Sequence, residues 1–251
     1  MDRTTQTYFA DVVSNELLTP HMRRIVLAVE GGWRSSGIAD EWVRLFFPTV
    51  AGEPAVLPVS QGKGWSFPDD IPREGRWYSV RAIDGDRLTI DIVVHEAGVA
   101  AEWAAGARPG DRIAITGPDG RYGADAPTDW ELIAADMTGL PAALRILSEL
   151  PAGRRALAVL EVQDAADQQP VDSAGTVEVR WLHNPDHGRA PSRLPSAVRG
   201  IDWPDGRPYV WMSAEAAATR DIRSFVRRDK KVPNGCAHVV GYWSIRRNTA
   251  R

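Results

Sequence analysis

The 251 residues suffice for one large or two small domains, and 30 Lys and Arg against 33 Asp and Glu give a formal net charge of −3. That balance leaves no global basic field for a nucleic acid. A single cysteine, Cys236, excludes an intramolecular disulfide, a CxxC redox pair and a four-cysteine iron–sulfur cluster, so any electron carrier here must be organic.

Up to about residue 124 the chain reads as short β runs divided by Gly, Pro and Asp, among them Arg24–Val29, Val43–Phe47, Leu88–Val94 and Arg112–Ile115. That spacing predicts an antiparallel barrel over residues 1–124. Gly52 to Gly75 reads as a long surface loop. From about Trp130 the rhythm changes: "WELIAA", "RALAVLEVQ", "TVEVRWL", "RPYVWMS" and "HVVGYW" read as strands, and Pro141–Leu150 and Glu215–Arg228 as helices. Strands alternating with helices predict an α/β domain with a parallel sheet over residues 125–251. Asn184 to Arg207, rich in proline and charge, reads as a connection with little sign of a core, and Cys236 as a small buried strand residue. No apolar run approaches the roughly 20 residues that span a bilayer. Met1–Gln6 lacks the apolar core of a signal peptide, and the five histidines show no metal-ligand spacing. The expectation is a cytoplasmic monomer with no membrane insertion and no built-in metal site.

Chemistry concentrates in Arg76-Trp77-Tyr78-Ser79-Val80-Arg81. On an extended strand Arg76, Tyr78 and Val80 share one face and Ser79 and Arg81 the other. An aromatic ring flanked by a hydroxyl and two guanidinium groups suits a flat ring system carrying a pyrophosphate. The same pattern also fits a half-buried strand with two solvent-facing arginines. After Val94, small residues Gly98, Val99, Ala100 and Ala101 open a helix whose N–H groups favour phosphate oxygens, with Trp103 beyond them. His95 there also reads as a strand-end residue bonded to a backbone carbonyl. "AADMTGLPA" forms a strand-to-helix turn with Thr138 as a cap and Pro141 at the first helical position. GxGxxG is absent, which excludes a standard dehydrogenase fingerprint.

RxYSxR resembles the flavin motif of ferredoxin-reductase-like flavoproteins, and further segments narrow the resemblance to the siderophore-interacting proteins, or ferric-siderophore reductases. These are "LTPHMRRIVL", "EWVRLFFP", "DIVVHEAGVAAEWAAGARPGD", "GPDG", "AADMTGLPAALRILSELP", "WMSAEAAATRDIRSF" and "GYWSIRRN", in that order along the chain. The resemblance implies an FAD-binding barrel followed by a nicotinamide-binding-like α/β domain. It implies FAD contacts along Arg76 to Arg81, with Tyr78 supporting the isoalloxazine, Ser79 at its edge and Arg76 and Arg81 on the phosphates. It extends these contacts to Asp91, Val93 and the His95, Gly98–Ala101 and Trp103 segment. Where the family commonly has Gly-Pro-Ala-Ser, this chain has Gly98-Val99-Ala100-Ala101, without the hydroxyl. In the nicotinamide turn Asp136, Thr138, Leu140 and Pro141 are kept, whereas Ala135 and Met137 replace Gly and Glu.

Glu215 matches a glutamate with which the family begins its last helix, and it also suits the helix dipole. Tyr242 and Trp243 are placed to cover the flavin or simply to end the last strand. Lys63, Arg246 and Arg247 are candidates for an anionic ferric siderophore, or are merely solvated cations. The resemblance implies reduction of a ferric siderophore through FAD, with NADPH or NADH as donor. Reduced ferredoxin is the alternative donor, and a ferric-siderophore binding protein without catalysis the alternative function. Arg154, Arg155, Arg180 and Arg189 are all possible partners for a 2′-phosphate, and none sits in a diagnostic motif.

Overall fold

The computed structural model describes residues 5–49, 52–61, 64–95 and 98–245. The chain divides into two compact units, Met1–Gly120 and Arg121–Arg251.

In the first unit the alternating runs become β1 (Thr7–Thr19), β2 (Met22–Val29), β3 (Trp42–Phe46), β4 (Val59–Gln61), β5 (Gly64–Ser66), β6 (Gly75–Asp84), β7 (Arg87–Val93) and β8 (Arg112–Thr116), with α1 (Val99–Gly106) between β7 and β8. Six strands close into a barrel in the order β1-β2-β7-β6-β3-β8, with antiparallel pairing throughout. Closure leaves no open sheet edge. Inward positions follow the period of two. Ile25 and Leu27 of β2, Val43 and Leu45 of β3, and Leu88 and Ile90 of β7 are fully buried in one apolar cluster. Each such side chain contributes about 1.5–3 kcal/mol.

The stretch from Gly52 to Gly75 is not a bare loop. It carries the β4–β5 ribbon and lays Val56, Leu57, Trp65 and Phe67 over Phe46 and Ala114 on the barrel's outer face. Arg73 anchors it, its side chain 3% exposed, pairing with Glu53 and, at 2.8 Å, with Asp69 while lying 5.4 Å over the Phe67 ring. The apolar residues that drive this docking are spaced too irregularly to read as an element.

The second unit contains β9 (Trp130–Ala135), α2 (Leu140–Ser148), β10 (Arg155–Val162), β11 (Thr176–His183), α3 (Leu194–Arg199), β12 (Pro208–Glu215), α4 (Ala216–Arg228) and β13 (Ala237–Trp243). The five strands are parallel, in the order β11-β10-β9-β12-β13. All six residues of β9 are buried, as expected of a central strand covered on both faces. On α4, Ala218, Ile222 and Val226 recur every four residues and are buried against the sheet.

Two expectations are corrected here. Asn184–Arg207 contains α3, whose Leu194 and Val198 are fully buried in the core. Six residues are too few for a periodic signal, and Pro195 within the first turn disguises the helix. Cys236 is buried, yet it lies in the 3-10 turn Asn234–Cys236 before β13 rather than on a strand.

Candidate functional site

Arg76 to Arg81 all lie on β6, between β3 and β7. Leu45 pairs with Arg76, Val43 with Tyr78 and Trp42 with Ser79. Tyr78 packs against the barrel core, and burial pushes its phenol up to about 12 although the Arg76 charge opposes the shift. The group is therefore a neutral O–H donor at physiological pH. Simple alternation fails further along. Ser79 and Val80 are both buried, and the register to β7 slips between Val80 and Ala82, leaving Arg81 as the extra residue of a bulge. Such a bulge re-aims side chains locally.

Trp77 faces the other way and is 55% exposed. Beside it lies Arg44 of β3, which the sequence reading passed over. Its guanidinium sits 5.4 Å from the Trp77 ring centre and 5.3 Å from that of Phe46. A side chain at Gly75 would collide with Arg44 Nε, so glycine there makes the stacking possible. Arg44 Nε is buried without a hydrogen-bond partner, and among the described residues no carboxylate faces the group. Burial, and secondarily Arg76, hold its pKa below the usual arginine value. Arg76 itself is half exposed and pairs with Glu74 on the surface, a contact weak enough to exchange for a phosphate. The signal for Arg44 was a lone cation in an otherwise apolar strand run.

α1 presents the second cradle. Gly98 precedes it at φ 125°, a conformation that favours glycine, and a Cβ there would lie 3.0 Å from His95 Cε1. No side chain caps the helix start; the Gly98 N–H donates to Glu102 Oε1 at 3.3 Å. The other end is fixed, because Asn15 Nδ2 donates to the carbonyls of Ala104 at 2.7 Å and Ala107 at 2.8 Å. Val99 and Trp103 pack onto the barrel core while His95 stays exposed. Orphan N–H groups over small side chains are what a diphosphate requires. Asp91, on β7, is wholly enclosed and receives two 2.7 Å hydrogen bonds from Arg24 of β2; Val93 is half-buried nearby. Neutral phenol, the neighbouring Arg76 cation and the uncapped helix start together fit FAD.

In the second unit the chain order reverses between β9 and β12, where open α/β sheets bind ligands. Asp136, immediately after β9, is fully buried. Its Oδ1 accepts from the Thr138 N–H at 2.9 Å and the Thr138 hydroxyl at 2.6 Å. Its Oδ2 accepts from the Glu215 N–H at 2.9 Å and Trp243 Nε1 at 2.7 Å. Thr138 is therefore not the helix cap: its hydroxyl donates to Asp136, and Gly139 stands at the N-cap. Pro141 is the second residue of α2 rather than the first, still within the turn that needs no N–H from it. Gly139 passes so close to the Ser213 carbonyl that no side chain fits, and Ser213 Oγ is buried without a partner.

Glu215 caps α4 by accepting from Ala217 at 2.5 Å and Ala218 at 3.1 Å. Trp243 also packs against His187, with ring centres 5.1 Å apart, and Tyr242 is 37% exposed. Glu161 ends this row of carboxylates. It accepts from Arg193 N–H at 2.5 Å, Ser192 Oγ at 3.2 Å and Asn184 Nδ2 at 3.3 Å, and burial raises its pKa. The opposite, amino edge of the sheet holds a cavity of about 460 Å³, whose Tyr122, Thr128, Glu131 and Arg154 are hydrogen-bonded to one another. Lys63, Arg246 and Arg247 lie outside the described residues.

Comparison with known proteins finds a family match in each half of the chain. Residues 11–122 match the family model of the siderophore-interacting FAD-binding domain, and residues 128–246 that of the siderophore-interacting protein. An uncharacterized protein of Mycobacterium tuberculosis is 31% identical, the match covering 93% of this chain and 88% of that one. The ferric vibriobactin reductase of Vibrio cholerae is 26% identical over 82% and 77% of the two chains. The NADPH-dependent ferric-chelate reductase of Escherichia coli is 26% identical over 92% and 91%. Among solved structures, a siderophore utilization protein from T. fusca superposes with a TM-score of 0.83 at 34% identity, covering 96% and 93%. A ferredoxin-NADP+ reductase from Plasmodium falciparum gives 0.60 at 11% identity, covering 94% and 97%, a likeness of fold alone.

Proposed function

The chain belongs to the siderophore-interacting protein family, and from that premise we propose that it is an FAD-dependent reductase that converts ferric siderophore to ferrous iron with a nicotinamide as donor. The observation that carries this reading is the constellation on β6: a half-buried neutral phenol at Tyr78 with the Arg76 guanidinium acting on it, Arg76 being held only by a surface pairing with Glu74. Bound FAD supplies the conversion of a two-electron hydride into single electrons. Tyr78 and Ser79 orient the ring system, and Arg76 and Arg81 offset the diphosphate charge. Gly98 to Ala101 offer backbone N–H groups to the same phosphates. Electron balance requires two ferric ions reduced and one proton released for each nicotinamide oxidised. Hard oxygen chelators hold ferrous iron far more weakly than ferric iron, so reduction frees the metal without protein ligands.

A second reading replaces the nicotinamide by reduced ferredoxin. It is favoured by Asp136, whose oxygens already take the donors of the turn where a dinucleotide phosphate would bind. The test is an anaerobic absorbance titration of FAD-loaded protein with NADH and NADPH, followed by a ferric siderophore and a ferrous-specific chromophore. Bleaching of the flavin band and two ferrous ions per nicotinamide support the proposal. A flavin that stays oxidised turns the search to ferredoxin, and a protein that retains no FAD sinks the reductase reading.

A further inference from the structure

Resting on the nicotinamide reading above, we infer that Asp164 makes this protein select NADH over NADPH. In an open parallel sheet a dinucleotide lies across the carboxyl edge at the point where strand order reverses. A carboxylate following the second strand then binds the ribose 2′-hydroxyl, whereas a cation there accommodates a 2′-phosphate. In this sheet β9 is the first strand and β10, beside it, the second. β10 ends at Val162 and Asp164 follows two residues later, exposed, at the carboxyl edge.

The carboxylate is held in place. Asp164 Oδ1 accepts from the Ala166 N–H at 2.9 Å, and its own N–H donates to Oδ2 of Asp167, a buried residue, at 3.1 Å. The Asp164 side chain also accepts from the Asp167 backbone, which completes a capping box, and the Gln168 amide meets the His183 ring at 2.9 Å at the end of β11. Asp164 is exposed, and among the described residues no cation pairs with its carboxylate. A fixed, unneutralised carboxylate accepts a charge-assisted bond from a ribose hydroxyl and repels a phosphate dianion in the same place.

The tertiary structure also removes two of the arginines that could have reversed this choice. Arg154 is bonded to Thr128 and Glu131 at the amino edge, and Arg155 is the first residue of β10. At about 3.3 Å per residue, β10 places both more than about 20 Å from Asp164. Arg180 pairs with Val159 in mid-strand. Arg189 stays at the carboxyl edge, in the turn after β11 whose His187 packs on Trp243.

The test measures equilibrium binding of NAD+ and NADP+ to oxidised, FAD-loaded protein by calorimetry, alongside anaerobic flavin reduction by NADH and NADPH. NAD+ is expected to bind at least about tenfold more tightly. Asp164→Ser keeps an oxygen for the Ala166 N–H while losing the charge. It should narrow that preference about tenfold by strengthening NADP+ binding, with the melting temperature and flavin spectrum unchanged. Adding Gln163→Arg to it should reverse the preference. Equal or tighter NADP+ binding by the unaltered protein overturns the inference, as does a ratio that Asp164→Ser leaves unmoved. If neither coenzyme binds while dithionite-reduced protein still reduces a ferric chelate, the inference falls and the FAD-reductase reading stands. A protein without FAD removes the premise of both.

Discussion

The indole N–H of Trp243 donates to Oδ2 of Asp136 at 2.7 Å across 107 residues of chain, tying the last strand to the turn after the first strand of the parallel sheet. The same oxygen receives the Glu215 N–H. One buried carboxylate thus joins β9, the start of α4 and the end of β13. Trp243→Phe removes one of two donors to an enclosed oxygen and should destabilise the second unit by about 1–3 kcal/mol. Chemical denaturation would measure the loss. FAD content separates the two roles open to Trp243: a loss of flavin marks a cover over the ring system, an unchanged content a strand end. An unchanged unfolding midpoint would show that solvent replaces the indole.

Arg76→Ala should lower FAD occupancy after gel filtration, because its pairing with exposed Glu74 contributes little to the fold and its cation is free to exchange partners. Arg44→Ala should act in the same direction while also exposing Phe46 and Trp77. Full flavin retention in both variants would remove β6 as the cofactor platform.

Gly98→Ala forces a side chain into φ 125° and against the His95 ring. The local cost is about 1–3 kcal/mol. The expected result is weaker FAD binding, by about tenfold or more, read from flavin fluorescence released on dilution.

Asp91→Ala should destabilise the barrel by about 2 kcal/mol, since it strips two 2.7 Å hydrogen bonds from half-buried Arg24. The hydrogen bond that Arg24 donates to Asp91 is also the leading cause of the raised Arg24 pKa. A loss of flavin with no change in unfolding midpoint would instead mark Asp91 as a direct cofactor contact.

Glu161 carries a pH dependence whose sign follows from its environment. Burial raises its folded-state pKa above the ordinary 4.5, with neighbouring Asp136 adding to the shift. The protonated form is therefore favoured by folding. Its stabilising contribution is complete below pH 4.5 and is lost as pH rises through the elevated folded value. Glu161→Gln should flatten this part of the stability profile, so that the difference between variant and parent grows from pH 4.5 toward neutrality. Denaturant midpoints taken across that interval test it; parallel profiles would contradict the assignment.

The two-part architecture was legible in the sequence because both signals are local. Period-two burial marks β2, β3 and β7, and continuous apolar runs mark β9 and β12. Glu215 at the start of α4 was legible for the same reason, since a cap needs only the next three residues. Tertiary structure alone decided the rest. Asp136 looked like one residue of a turn with Thr138 as its cap, but its partners lie 79 and 107 residues away and take the carboxylate for themselves. Arg44 gains its place only through the register, which sets it between Phe46 and Trp77 without an acid. α3 escaped notice because burial of Leu194 and Val198 depends on the sheet beneath them, not on a repeat in six residues. Periodicity is a property of neighbours along the chain, whereas the pairing of a buried charge is set by whatever the fold brings beside it.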